Sequence, residues 1–205
     1  MSDQFFTATP DGSGQKIDEE QETVGANDLV RPRIVGAERK TYSCNTGPIT
    51  GATATGTKSL TYLWHPSTDT DRVRLLGCFV NQIAGAAGAM RLELARITAE
   101  NGTPGGSTGT IMAHNQADAA SSQTVRIAPT GAPTRASGRY FGANVPVGLD
   151  GDSLYPPFVD PKGFNTKPLI LRESTNEGYE LIQEVTSTIT TAPVFNITWV
   201  WEEII

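Results

Sequence analysis

The chain has 205 residues, 38% of them hydrophobic, with 21 glycines, 13 prolines and a formal net charge of −6. That length fits one β domain with an extension, and the Gly and Pro content suits short strands and tight turns better than a helical layer. The acidity speaks against a nucleic-acid surface, which needs clustered Lys and Arg, and no apolar run approaches the length of a membrane span.

Residues 1–56 read as an extended N-terminal arm and linker, and residues 57–205 as a β-sandwich domain. Met1-Ser2-Asp3-Gln4-Phe5-Phe6 has neither the basic nor the apolar stretch of an export signal, so synthesis without a secretion signal is expected. Asp3, Asp11, Asp18, Glu19, Glu20, Glu22 and Asp28 stand against Lys16 alone; Arg31, Arg33, Arg39 and Lys40 then reverse the sign. Such a segment is either a solvated tail or a strap. As a strap, Asp18, Glu19 and Glu20 would lie on a basic neighbour, Arg31 and Arg33 would face an acidic one, and Phe5 and Phe6 would anchor it. Its apolar surface is too small to offset its ordering entropy, so another chain is expected to order it.

From 46 to 57 the composition of Gly, Thr, Ala and Pro predicts a linker or an irregular edge. A strand is predicted over 58–65, stopped by Pro66, which cannot donate to a ladder. Over 71–82 strict alternation puts Val73, Leu75, Gly77 and Phe79 on one face and Arg72, Arg74, Leu76 and Cys78 on the other. Over 89–98, Met90, Leu92 and Leu94 point inward, and Arg91, Glu93 and Ala95 outward. A Gly-rich loop follows at 101–109, a short strand at 110–114, and one possible helical turn at 118–122. Further strands are predicted at 124–128, 139–147, 167–173, 178–189 and 194–203. In the last of these Phe195, Ile197, Trp199 and Trp201 share one face, as a core anchor or an interface patch. Short strands at this spacing, without βαβ alternation, predict an all-β fold: an antiparallel β-sandwich or barrel, with jelly roll the leading topology.

Little in the sequence points to chemistry. Gly105-Gly106-Ser107-Thr108-Gly109 matches the string of serine hydrolases, but no helix follows to form the nucleophile elbow, and His65 and His114 are the only histidine bases. Asp11-Gly12-Ser13-Gly14-Gln15-Lys16 lacks the spacing of a phosphate loop. No Cys or His stands at zinc-ligand spacing. Asp69 and Asp71, or Asp150 and Asp152, could offer carboxylates to Ca²⁺, but read more simply as solvated turn residues. Glu202 and Glu203 read as a solvated strand end. Cys78 reads as a small buried hydrophobe, and a Cys44–Cys78 bridge stays open. No catalytic residue, metal or cofactor is expected, and the chain reads as a non-enzyme.

The stretches Leu63-Trp64-His65-Pro66, Arg72-Val73-Arg74-Leu75-Leu76-Gly77 and Gly88-Ala89-Met90-Arg91-Leu92-Glu93-Leu94 resemble β-rich structural proteins of tailed-bacteriophage virions. The likeness continues through 124–134 and Lys167-Pro168-Leu169-Ile170-Leu171-Arg172 and covers roughly 58–203. It implies a jelly-roll-like subunit located on the virion: a capsid decoration (cement) protein, a minor head protein, or a tail or fibre component. The partners expected are the major capsid protein or other virion subunits and further copies of the chain, with a trimer favoured, and neither nucleic acid nor membrane. A rival reading is a receptor- or carbohydrate-binding sandwich, with Tyr140, Phe141, Tyr155 and Phe158 as the aromatics to present at loop tips.

Overall fold

The computed structural model describes residues 39–85, 90–138, 141–145, 153–154 and 169–204, the segments 141–145 and 153–154 by backbone alone. Phe5, Phe6, Asp18, Glu19, Glu20, Arg31 and Arg33 lie outside the described residues, as do Asp150 and Asp152. Among the described residues the chain is all β. The strands are β1 (Arg39–Thr50), β2 (Gly56–His65), β3 (Arg72–Ala84), β4 (Met90–Ala99), β5 (Ser107–Thr108), β6 (Met112–Ala113) and β7 (Thr124–Ile127). They continue as β8 (Thr134–Arg135), β9 (Phe141–Val145), β10 (Ser153–Leu154), β11 (Ile170–Leu171), β12 (Glu177–Val185) and β13 (Val194–Ile204).

These form two antiparallel sheets. The first has the order β10-β3-β13-β1-β6, with β11 beside β10 on the outer edge of β3. The second has the order β5-β7-β2-β12-β4-β8, with β9 beside β8 on the outer edge of β4. The pairing is nested: β1 with β13, β2 with β12, β3 with β10 and β11, β4 with β8 and β9, successive pairs alternating between sheets. That is the wind of a jelly roll, an antiparallel sandwich made by rolling up one long hairpin. The segment carrying β5, β6 and β7 is inserted between β4 and β8. It extends the second sheet past β2 and, through β6, the first sheet past β1.

The core lies between the sheets. Phe195, Ile197, Trp199 and Trp201 are all fully buried, so the alternation of β13 marks the inner face. Trp201 stacks on Tyr42 of β1 with centroids 6.0 Å apart, and the Trp199 indole N–H donates to Thr61 Oγ1 at 3.2 Å. Cys44 and Cys78 are both buried and unbridged. Each pairs with Trp199 from opposite sides, so they stand two strand spacings apart, roughly 10 Å, beyond the ~7 Å limit of a disulfide. Burial pushes the Cys44 thiol up to about 11 and the Cys78 thiol further in the same direction.

Three expectations need correction. The sandwich begins at Arg39 and includes β1, which the composition had placed in the arm. The alternation of β1 is hidden by a bulge between Asn45 and Pro48, where Gly47 takes φ +64° and Thr46 Oγ1 accepts the Ile197 N–H at 3.1 Å. In β3 a bulge at Leu76 resets the parity: Val73, Leu75, Cys78 and Val80 face the core, while Phe79 is exposed. No helical turn forms at 118–122; an Asx turn at Asn115, whose Oδ1 accepts from Ala117 N at 3.1 Å, precedes a run without regular secondary structure.

Candidate functional site

The densest cluster of chemically capable side chains closes one end of the sandwich. Pro66 ends β2 and leaves His65 facing inward, opposite Glu177 at the start of β12. The β2–β3 turn brings back Asp69, whose N–H bonds Pro66 O at 3.0 Å and whose C=O accepts from Ser174 N at 2.7 Å. The run before β7 supplies Ser121, Ser122 and Gln123, and the end of strand β13 supplies Glu203.

Asp69 is the hub. Its carboxylate accepts from Ser122 Oγ, from Gln123 Nε2 and, at 2.9 Å, from Asp71 N. Because the amide N of Gln123 is turned to Asp69, its Oε1 faces His65 Nδ1 at 2.9 Å, and Nδ1 must carry the proton. Asp69 Oδ2 also lies 3.5 Å from Nδ1, and His65 Nε2 has no hydrogen-bond partner among the described residues. Glu203 accepts from Ser121 Oγ and, at 3.3 Å, from the Trp201 indole. Burial first, then Asp69 and Asp71, raise the Glu203 carboxyl above the usual range, and those two hydrogen bonds oppose the rise. Asp71 is raised by burial and by Asp69, against Lys40 and His65. Beside them Glu177 is held by Arg96 and, at 3.3 Å, by Arg172 Nη2.

Two expectations fail here. Asp69 is not a solvated turn residue, and Glu202 and Glu203 do not end a strand in solvent: all three are buried. The reason is tertiary, because residues 121–123 fold over the turn and Arg74 covers Glu202 at 3.0 Å. Sequence reasoning missed the cluster; the one local signal was the i, i+4 spacing of His65 and Asp69.

The cluster is a hydrogen-bonded clamp between the β2–β3 turn, residues 121–123 and the end of β13. Ser122 donates to Asp69 and not to His65, so nucleophile, base and orienting acid are not in series. Ser107 is exposed on the short edge strand β5. It pairs with Ile127, itself opposite Thr61, two strands from β2 and about 13 Å along it from His65. His114 follows β6 and donates its backbone N–H to Thr41 O at 2.8 Å. Among the described residues no group of His, Cys, Asp or Glu has the disposition to hold a metal ion. The aromatics Tyr140, Tyr155 and Phe158 and the side chain of Phe141 lie outside the described residues.

The outer surfaces of the two sheets differ. On the second, Arg135 binds Glu180 through two bonds of 2.6 and 2.9 Å, Arg126 and Tyr62 share Glu100, and Arg91 lies between Glu93 and Glu184. Tyr62, Trp64 and Ile97 pack as a small buried cluster beneath them. The first sheet instead carries exposed apolar side chains on its outer face. The chain matches no protein-family model and no curated protein sequence.

Proposed function

We propose that this chain is a non-enzymatic structural protein of a tailed-bacteriophage virion, a capsid decoration protein that stabilises the head. The observation that supports the reading is a jelly-roll wind in which Asp69, Glu203 and the Nδ1 side of His65 are tied into one internal clamp with Ser121, Ser122 and Gln123. The resemblance of 58–203 to virion proteins adds the particle, and the arm adds the means. Phe5 and Phe6 anchor it, Asp18, Glu19 and Glu20 meet a basic neighbour, and Arg31 and Arg33 meet an acidic one on the major capsid protein. Many equivalent copies acting on one shell turn modest single-site affinity into cohesion.

Mass spectrometry of gradient-purified particles with copy-number counting tests this. A stoichiometric count matched to head subunits is expected. A chain confined to the soluble fraction of the lysate overturns the reading, and a count matched to tail symmetry moves the protein from head to tail.

A further inference from the structure

The segment between β4 and β7 is long and gives little to the core: no residue from Thr98 to Ser122 is buried. It leaves the second sheet at Gly109, whose N–H bonds Val125 O at 2.8 Å, touches the first sheet through β6, and returns to the second at Gln123. Residues 109–122 thus bridge β1 of one sheet and β7 of the other. Beneath the bridge lie Tyr42 and Cys44 of β1 and Val125 of β7, all buried. Gly109 sits directly on Cys44, since a Cβ added there would run into the Sγ.

The contacts that hold the bridge down are few and mostly polar. β6 has two pairs with β1, Tyr42–Ala113 and Ser43–Met112, and the His114 N–H adds a bond of 2.8 Å to Thr41 O. The Tyr42 hydroxyl donates to Ala119 O at 2.8 Å, and Ser121 and Ser122 donate to Glu203 and Asp69. Ile111 and Ala113 reach the core only in part, and Met112 is exposed. The strand below is held very differently, because β1 pairs with β13 from Arg39 to Thr50. A segment with short ladders and few buried apolar contacts opens for a small part of the free energy of global unfolding.

We propose that residues 109–122 form a flap that opens as one unit between Gly109 and Gln123, with the two serine bonds to the clamp as its latch. Gln123 is the fixed pivot: its Nε2 is held by Asp69 and its Oε1 faces His65 Nδ1 at 2.9 Å. Opening parts β6 from β1 and leaves the long β1–β13 ladder intact, so it bares Tyr42 and Cys44 without unfolding either sheet. Cys78 stays covered. It lies on β3, on the far side of Trp199 from Cys44. In the closed state the Cys44 thiol is buried and protonated, hence inert; in the open state it meets solvent and reacts as an ordinary thiol. The latch therefore controls access to the space between the sheets. The flap stands on the described strands alone and holds or fails whether or not the chain belongs to a virion.

Alkylation of the full chain by iodoacetamide, resolved by peptide mass spectrometry across sub-denaturing urea, is the test. Cys44 should react at least about a hundredfold faster than Cys78. Its rate should scarcely change with urea, because a small opening exposes little surface, whereas the Cys78 rate should climb as global unfolding does. Leu94→Ala, in the β4 core away from the flap, weakens the closed and open forms alike. It should speed Cys78 by at least about thirtyfold and leave Cys44 unchanged. Ser121→Ala with Ser122→Ala removes the latch and should speed Cys44 by at least about tenfold. Hydrogen exchange on the wild type separates the flap from fraying of β1: the His114 amide should exchange through the same opening as Cys44, and the β1–β13 ladder far more slowly. A Cys44 rate that follows Cys78 through urea or Leu94→Ala overturns the proposal. So does a Cys44 rate that the serine variant leaves unchanged, or a ladder that exchanges together with His114.

Discussion

The clamp makes residue-level demands that separate cleanly by substitution. Asp69→Ala leaves Gln123 Nε2, Ser122 Oγ and Asp71 N without their acceptor in a buried site. The expected cost is about 3 kcal/mol or more, read as a lower urea midpoint. Glu203 behaves in the opposite sense. Its carboxyl is raised in the folded chain, so the fold binds that proton more readily than the unfolded chain does. Its contribution to stability therefore improves as pH falls through the raised folded value towards the unfolded one, and at neutral pH the burial penalty is present in full. Glu203→Gln keeps an acceptor for Ser121 and Trp201 and removes the charge. Its urea midpoint should exceed that of the wild type at pH 7, with the advantage shrinking on acidification. An unchanged difference across that range would show that the Glu203 carboxylate carries no such penalty.

At the scale of elements, β13 is the member on which the sandwich depends, because it is central to the first sheet and presents both tryptophans to the core. Trp199→Ala or Trp201→Ala should cost about 3–5 kcal/mol, a large share of the ~5–15 kcal/mol typical of a domain, and the variants should express poorly or unfold at much lower urea. A wild-type midpoint in both would refute the packing described here. β13 was legible in the sequence because two indoles two residues apart cannot both face water without leaving a large apolar surface exposed. β4 was legible for the same reason of uninterrupted alternation. β1 and β3 were not, since a bulge adds one residue and inverts every later side chain, and period-2 reading has no local cue for Leu76 or Thr46–Gly47. The clamp escaped for a different reason. Asp69 looks like a turn acid until residues 121–123, more than fifty positions later, fold over it. The β1 bulge gives its own test. Gly47→Val forces a β-branched residue to φ +64°, with an expected loss of about 1–2 kcal/mol at a position where a Cβ meets no neighbour within 4 Å.

For the molecule as a whole, the nested pairing brings the first described strand against the last, so the chain completes its first sheet only when β1 and β13 meet. That puts Arg39 at the rim of the first sheet, 3.8 Å from Glu202, with the arm preceding it in sequence. If the arm clamps a capsid neighbour, its two phenylalanines supply most of the apolar contact available in its first dozen residues. Burying a Phe contributes about 1.5–3 kcal/mol, so Phe5→Ser with Phe6→Ser should weaken attachment to heads lacking the protein by about a hundredfold or more. The ionic contacts of Asp18, Glu19, Glu20, Arg31 and Arg33 should make the wild-type interaction weaken as salt rises, since exposed pairs are screened within ~10 Å at 0.1 M. Both substitutions precede the sandwich, which begins at Arg39, so the urea midpoint of the double variant should match the wild type. Binding of labelled chain to such heads, measured across a salt series, separates the contributions. Equal occupancy by wild type and double variant would remove the arm from the mechanism and leave attachment to the sandwich surface alone.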